Sequence, residues 1–216
     1  MRDVLRLSAG DALEVGDSQH GGVFSACVAS VGPLVQIEVG EGIERAQDGS
    51  RHVTLLFALC KGTKNDLVSD WATELGCSLI VFWQAQRSVV RLKDSGEASA
   101  KAERLSRIAR SAAQQSKQSR PPRVVVALSL QEALHLLGPA EGSTRILCSL
   151  QPDSPRIGAL VSTGNEPTVL AVGPEGDFSP DEEALLLAQG FRPASLGSRV
   201  LRSELAAVTA LASIQG

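Results

Sequence analysis

The 216-residue chain contains no tyrosine, and aromatic residues make up only 3% of it. Its core must therefore be built from Leu, Val, Ile and Ala, which stabilise a fold only when closely packed. No apolar run approaches the roughly 18 residues a membrane-spanning helix needs. Met1-Arg2-Asp3 opens no hydrophobic signal segment, so secretion is not expected either. The four cysteines, Cys27, Cys60, Cys77 and Cys148, include no Cys-x-x-Cys pair, and His20, His52 and His135 are equally dispersed. That argues against a metal site and a disulfide framework, and fits a reducing cytoplasm. Neither Gly-x-Gly-x-x-Gly nor a phosphate loop ending in Gly-Lys-Ser/Thr occurs, so both standard nucleotide fingerprints are missing. What is present, 43% hydrophobic and 21% charged residues, is the balance of a globular protein.

The net charge of −3 speaks against a nucleic-acid partner only until its distribution is read. From Lys101 to Arg123 seven basic residues face one acid, Glu103. Arg107, Arg110, Gln114 and Lys117 recur at i, i+3, i+7 and i+10, one stripe of a helix, with Leu105, Ile108, Ala109 and Ala112 on the other side. Such a stripe is either an ordinary solvated face or a surface that tracks a phosphate backbone.

Residues 1–50 carry short β-rich runs at Val4–Leu7, Ala12–Val15, Val23–Ser30 and Val35–Val39, punctuated by Gly, Asp and Pro. They read as a small β domain, joined through the polar stretch Glu41–Arg51 to a second domain over residues 51–216. There the pattern alternates. Strands are expected at Thr54–Leu59, Ser78–Trp83, Val124–Leu128, Arg145–Ser149, Thr168–Val172 and Ala194–Leu196. Helices are expected at Asp66–Leu75, over the basic stretch up to Pro121-Pro122, at Gln131–Leu137, before Gln189 and from Glu204. Alternation of this kind predicts an α/β fold with a mainly parallel sheet, whose ligands lie in loops at the carboxyl ends of the strands.

Two loops stand out. In Val172-Gly173-Pro174-Glu175-Gly176-Asp177-Phe178, followed by Ser179-Pro180-Asp181-Glu182, the last four residues form a helix start with a capping box. The cap does not explain the glycine turn before it, which bares backbone amides and sets a carboxylate at the tip of a strand. In Leu196-Gly197-Ser198-Arg199-Val200-Leu201-Arg202-Ser203-Glu204, Ser203 is expected to cap the last helix, with Glu204 suiting the helix dipole. Two arginines and several apolar residues remain beside a glycine.

Taken in order, these loops resemble the cofactor-binding end of the RsmE-type ribosomal RNA uridine-N3 methyltransferases of the SPOUT superfamily. Lys61-Gly62, Ala72-Thr73-Glu74-Leu75-Gly76, Arg87-Ser88-Val89 and Ala112-Ala113-Gln114-Gln115-Ser116 match that family's central motifs. Val4-Leu5-Arg6-Leu7 with Gly10-Asp11 matches its small PUA-like β-barrel domain, here N-terminally shortened because only Met1–Asp3 precede it. Gln118, Asp177 and Leu205 depart from the family pattern, which has arginine, glycine and threonine at those places. The resemblance implies a trefoil knot in the second domain, S-adenosylmethionine as cofactor and a homodimer packed through the knot region. It implies a substrate uridine in 16S ribosomal RNA, met in the small ribosomal subunit, with neither membrane nor metal involved. Val172, Gly173, Pro174, Glu175, Gly176, Leu196, Gly197, Val200 and Leu201 would line the cofactor. Arg202 would orient the uracil or stabilise its developing charge, while Glu204 or Glu175 would accept the proton or orient Arg202. Arg6, Lys61, Arg107, Arg110, Lys117 and Arg120 would contact RNA. A ribosome-assembly factor of the same descent, binding RNA without catalysis, is the alternative.

Overall fold

A computed structural model describes residues 7–17, 22–43, 51–118, 120–138, 140–151, 153–161 and 164–215. The chain divides into two compact units, residues 1–49 with 117–120 and residues 50–116 with 121–216.

In the first unit, β1 (Ala12–Gly16), β2 (Val23–Val31) and β3 (Val35–Ile43) form an antiparallel sheet in that order. β2 buries Val23, Ala26 and Val28, whereas β3 is exposed over most of its length. β3 runs past the expected end at Val39, because Gly42 and Ile43 still pair with Phe24 and Val23. Residues 41–43 of the expected linker are therefore strand, and its residues 44–50 lie outside the described ones. Val4, Leu5 and Arg6 of the expected first strand also lie outside them, and Leu7 belongs to no strand.

The second unit follows the alternation read from the sequence. Its elements are β4 (Val53–Ala58), α1 (Lys64–Glu74), β5 (Cys77–Trp83), α2 (Ser95–Gln115), β6 (Arg123–Ala127) and α3 (Leu130–His135). They continue with β7 (Thr144–Cys148), a 3₁₀ turn at Ile157–Ala159, β8 (Thr168–Val172), α4 (Pro180–Ala188), β9 (Arg192–Ala194) and α5 (Ser203–Gln215). The six strands pair in the order β6-β5-β4-β8-β7-β9, and every pairing is parallel. All six residues of β4 are buried, the continuous apolar run expected when both faces of a strand are covered. On one face Leu55, Phe57, Ile80, Phe82 and Leu170 pack with Val68 and Ala72 of α1, Leu105 and Ala109 of α2, and Leu211 and Ile214 of α5. On the other, Leu56, Val81, Trp83 and Ala171 pack with Leu130 and Leu134 of α3 and Leu186 of α4. Chain order reverses between neighbours β4 and β8. In open parallel sheets, ligands settle at the carboxyl ends of the strands flanking such a reversal.

Helix boundaries depart from the sequence reading in two instructive places. α2 begins at Ser95, where Asp94 accepts a hydrogen bond from the Glu97 amide, but it ends at Gln115, well before the prolines. The Ser116 hydroxyl donates to the Ala112 carbonyl, and Lys117 takes a left-handed conformation at φ +58°. Lys117 has therefore left the helix, and the expected cationic stripe shrinks to Arg107, Arg110 and Gln114, all exposed. At α5, Ser203 is the first helical residue rather than its cap, and the Arg202 carbonyl accepts from the Ala206 amide. Among the described residues no helix is long and apolar enough to cross a membrane.

Candidate active site

The turn after β8 is held from several sides. Asp177 has φ +61°, a left-handed conformation that costs most side chains roughly 1–2 kcal/mol. Its Oδ1 offsets part of that strain by accepting from the Phe178 amide at 2.8 Å, while its own amide donates to the Pro174 carbonyl at 3.0 Å. The Arg87 guanidinium donates to the carbonyls of Gly176 (3.0 Å) and Phe178 (2.9 Å), and the Phe178 ring stacks on Trp83. A Cβ on Gly173 would come within 3.1 Å of that ring, so only glycine fits without displacing it. Ser179 and Glu182 close the expected capping box, and the second Glu182 oxygen accepts from the Gln86 amide at 2.6 Å. The β5–α2 and β8–α4 loops are thereby stitched together.

The loop after β9 is braced by the one after β7. The Ser195 amide donates to the Pro155 carbonyl at 2.8 Å, and the Ile157 amide to the Ser195 carbonyl at 3.1 Å. Gly197 has φ +138°, a conformation closed to most side chains, and a Cβ there would lie 3.1 Å from Arg156 Nη1.

Between these loops lies a cavity of about 800 Å³, within the usual range for small-molecule sites. Val172, Gly173, Pro174, Glu175, Leu196, Gly197, Val200, Leu201 and Arg202 all line it. Two of the expected site residues do not. Gly176 packs on the Arg87 Cβ, where its own Cβ would sit at 3.1 Å, and Glu204 stands behind Lys64. Lys64 and Arg156 line the cavity without having been singled out from the sequence, and Arg199 of the second loop lines it although no role was assigned to it. A smaller cavity of about 380 Å³ lies beside α3 and α4, but its Gln84 and Arg91 side chains are already bonded to the Leu92 amide and to the Ala85 and Gln86 carbonyls.

At the cavity wall one lysine is paired with two carboxylates. Lys64 Nζ lies 3.0 Å from Glu175 Oε1 and 3.5 Å from Glu204 Oε2. The Glu204 oxygen is buried and makes no hydrogen bond. Burial pushes the Glu175 carboxyl up, but its own amide, the Lys64 ammonium and the Cys60 thiol outweigh that and hold it below the ordinary carboxylate value. Burial likewise opposes the charge on Lys64, yet Glu175 and Glu204 together raise its pKa. Burial first, and then the Glu175 charge, push the Cys60 thiol up to about 12, so it stays protonated and unreactive. Arg202 is exposed and makes no ion pair among the described residues.

A sequence profile of the RNA methyltransferase domain matches residues 47–215. The chain is 32% identical over 216 residues to the ribosomal RNA small subunit methyltransferase E of Synechocystis, covering 99% of this chain and 69% of that protein. The Mycobacterium bovis protein of the same name is 30% identical, with 98% of this chain and 80% of that one covered. The chain belongs to the ribosomal RNA small subunit methyltransferase E family. A Legionella pneumophila protein solved in complex with the bound cofactor SAM superposes on this methyltransferase with a TM-score of 0.85 at 25% identity, covering 99% of this chain and 86% of that one. Family membership bears out the expectation of an RNA methyltransferase that uses S-adenosylmethionine. As for the expected RNA contacts of the methyltransferase, Lys61, Arg107, Arg110 and Arg120 are exposed, Lys117 is exposed beyond the end of α2, and Arg6 lies outside the described residues.

Proposed function

We propose that the cavity holds S-adenosylmethionine and that the protein methylates N3 of one uridine in 16S ribosomal RNA. The observation that carries this reading is the cavity itself, set at the carboxyl ends of β8 and β9 beside the chain reversal. Its walls join the bare backbone of Gly173 and Gly197, a carboxylate at Glu175 and a free guanidinium at Arg202. The two glycines let backbone groups approach a ligand, as adenine and ribose recognition without a phosphate motif requires. S-adenosylmethionine, when bound, supplies an electrophilic methyl group on a sulfonium. Arg202 donates hydrogen bonds to the uracil carbonyl oxygens on which negative charge develops as the weakly acidic N3 proton is lost to water.

The same reading gives the second unit a trefoil knot, pairs the protein as a homodimer through the knot region, and locates it in the cytoplasm. Residues 1–50 serve as a PUA-like RNA-binding unit. Exposed Arg107 and Arg110 of α2, with Lys61, then contact RNA phosphates. Calorimetry with S-adenosylmethionine and single-turnover methylation of small subunits test the reading together. Arg202→Ala should keep cofactor affinity and lower turnover by about two or more powers of ten. Unchanged turnover removes Arg202 from the chemistry.

A further inference from the structure

Three elements bring one cation and two carboxylates together at the cavity. Lys64 opens α1 just beyond β4, Glu175 tips the β8–α4 loop, and Glu204 lies in the first turn of α5. The Lys64, Glu175 and Glu204 side chains are 23%, 28% and 12% exposed. Lys64 and Glu175 line the cavity and Glu204 does not, so the cation stands between a carboxylate facing the ligand and one facing the protein.

We infer that Lys64 is a positioning residue: braced by Glu204, it fixes the Glu175 carboxylate at the cavity wall as the anion that meets the positive charge of the methyl donor. The inference rests on the proposed function above. It assigns Glu175 to cofactor recognition rather than to proton abstraction, and two arguments favour that assignment. A general base needs a proton affinity matched to neutral pH, whereas a carboxylate bonded to an ammonium at 3.0 Å is held ionised and is a weak base. A lone Lys–Glu pair would also be neutral and would attract no cation. The second carboxylate, Glu204, leaves the group with a net negative charge that suits the sulfonium and ammonium of the donor. The titratable groups acting on Lys64 are Glu175, Glu204 and Cys60, and those acting on Glu175 are Lys64 and Cys60. Asp177, Arg156, Arg199 and Arg202 share the cavity wall.

The test is calorimetric titration with S-adenosylmethionine and with its neutral thioether product, S-adenosylhomocysteine, across the mildly acidic to neutral range. Wild type should bind the donor with an affinity that barely changes with pH. In Lys64→Gln the two carboxylates are left side by side without a cation, and the pKa of one must rise. Donor affinity should then fall on acidification, by up to about tenfold per pH unit below the raised pKa. Lys64→Arg should keep the flat profile, and Lys64→Gln with Glu204→Gln should restore it by removing the like charge. A larger loss for the donor than for the thioether puts Glu175 at the sulfonium, and an equal loss puts it at the ammonium; both support the inference. A flat profile in Lys64→Gln, whether or not its thermal midpoint has dropped, makes Lys64 a structural lysine and overturns it. So does a pH dependence that survives in the double variant. Wild type that binds no donor at any pH overturns the proposed function instead.

Discussion

Asp177 offers a prediction in which two energetic terms can be separated by the choice of replacement. The residue sits at φ +61°, and its Oδ1 accepts from the Phe178 amide at 2.8 Å. Asp177→Ala keeps the left-handed backbone, deletes the acceptor and leaves the Phe178 amide without it. A hydrogen bond to a charged group is worth about 1.5–3 kcal/mol, reduced here because the Asp177 side chain is partly exposed. The alanine variant should therefore lose about 1–3 kcal/mol. Asp177→Gly deletes the same bond but removes a left-handed penalty of roughly 1–2 kcal/mol, so it should remain within about 1 kcal/mol of the parent. For a chain of this length each kcal/mol moves the thermal midpoint by about 2–4 °C, so calorimetric scans will separate the two variants. A glycine variant as unstable as the alanine one would show that the hydrogen bond alone governs the turn. Two neutral variants would contradict the turn geometry altogether.

Gly197→Val should abolish donor binding while the chain stays folded, because the backbone at φ +138° strains any side chain and the valine would crowd the Arg156 guanidinium at the cavity wall; equal affinity in variant and parent would misplace the cavity. Replacing Arg107 and Arg110 by Gln should weaken binding to any RNA alike and flatten the slope of log affinity against log salt by roughly 0.7–0.9 for each phosphate no longer neutralised. An unchanged slope makes α2 an ordinary solvated face. Burial holds the Cys60 thiol up at about 12 and raises that of Cys77 as well, above the value of 9.0 for a free thiol, so they raise no penalty below pH 9. Above that pH the unfolded chain ionises first, and stability should fall with rising pH by up to about 1.4 kcal/mol per unit for each thiol. Urea unfolding along an alkaline series, with Cys60→Ala and Cys77→Ala, checks this: each variant should lose its share of the slope, and identical slopes would refute it.

Much of the second unit could be read from sequence because local signals agree with the tertiary fold. Ser179-Pro180 and Glu182 announce α4 unaided, and β8 occupies Thr168–Val172 as read. Gly76, at φ +77°, closes α1 directly after the expected end at Leu75. The end of α2 misled because Pro121-Pro122 is the stronger stop signal, whereas the actual terminus uses a left-handed lysine in place of the usual glycine. Gly173 and Gly176 look alike in sequence, yet only their packing against Phe178 and Arg87 tells which one faces the cavity. Lys64 was illegible for a different reason. It lies 111 residues from Glu175, and nothing local shows that β4 will lie beside β8 and bring them together.

Nucleoside analysis of 16S ribosomal RNA decides whether the cavity serves uridine-N3 methylation. Small subunits lacking the modification, incubated with the protein and S-adenosylmethionine and then digested, should yield 3-methyluridine that is absent without the protein and strongly reduced with Arg202→Ala. A methyl group found instead on the ribose, on uracil C5 or on another base, or no methyl transfer despite tight donor binding, would contradict that assignment.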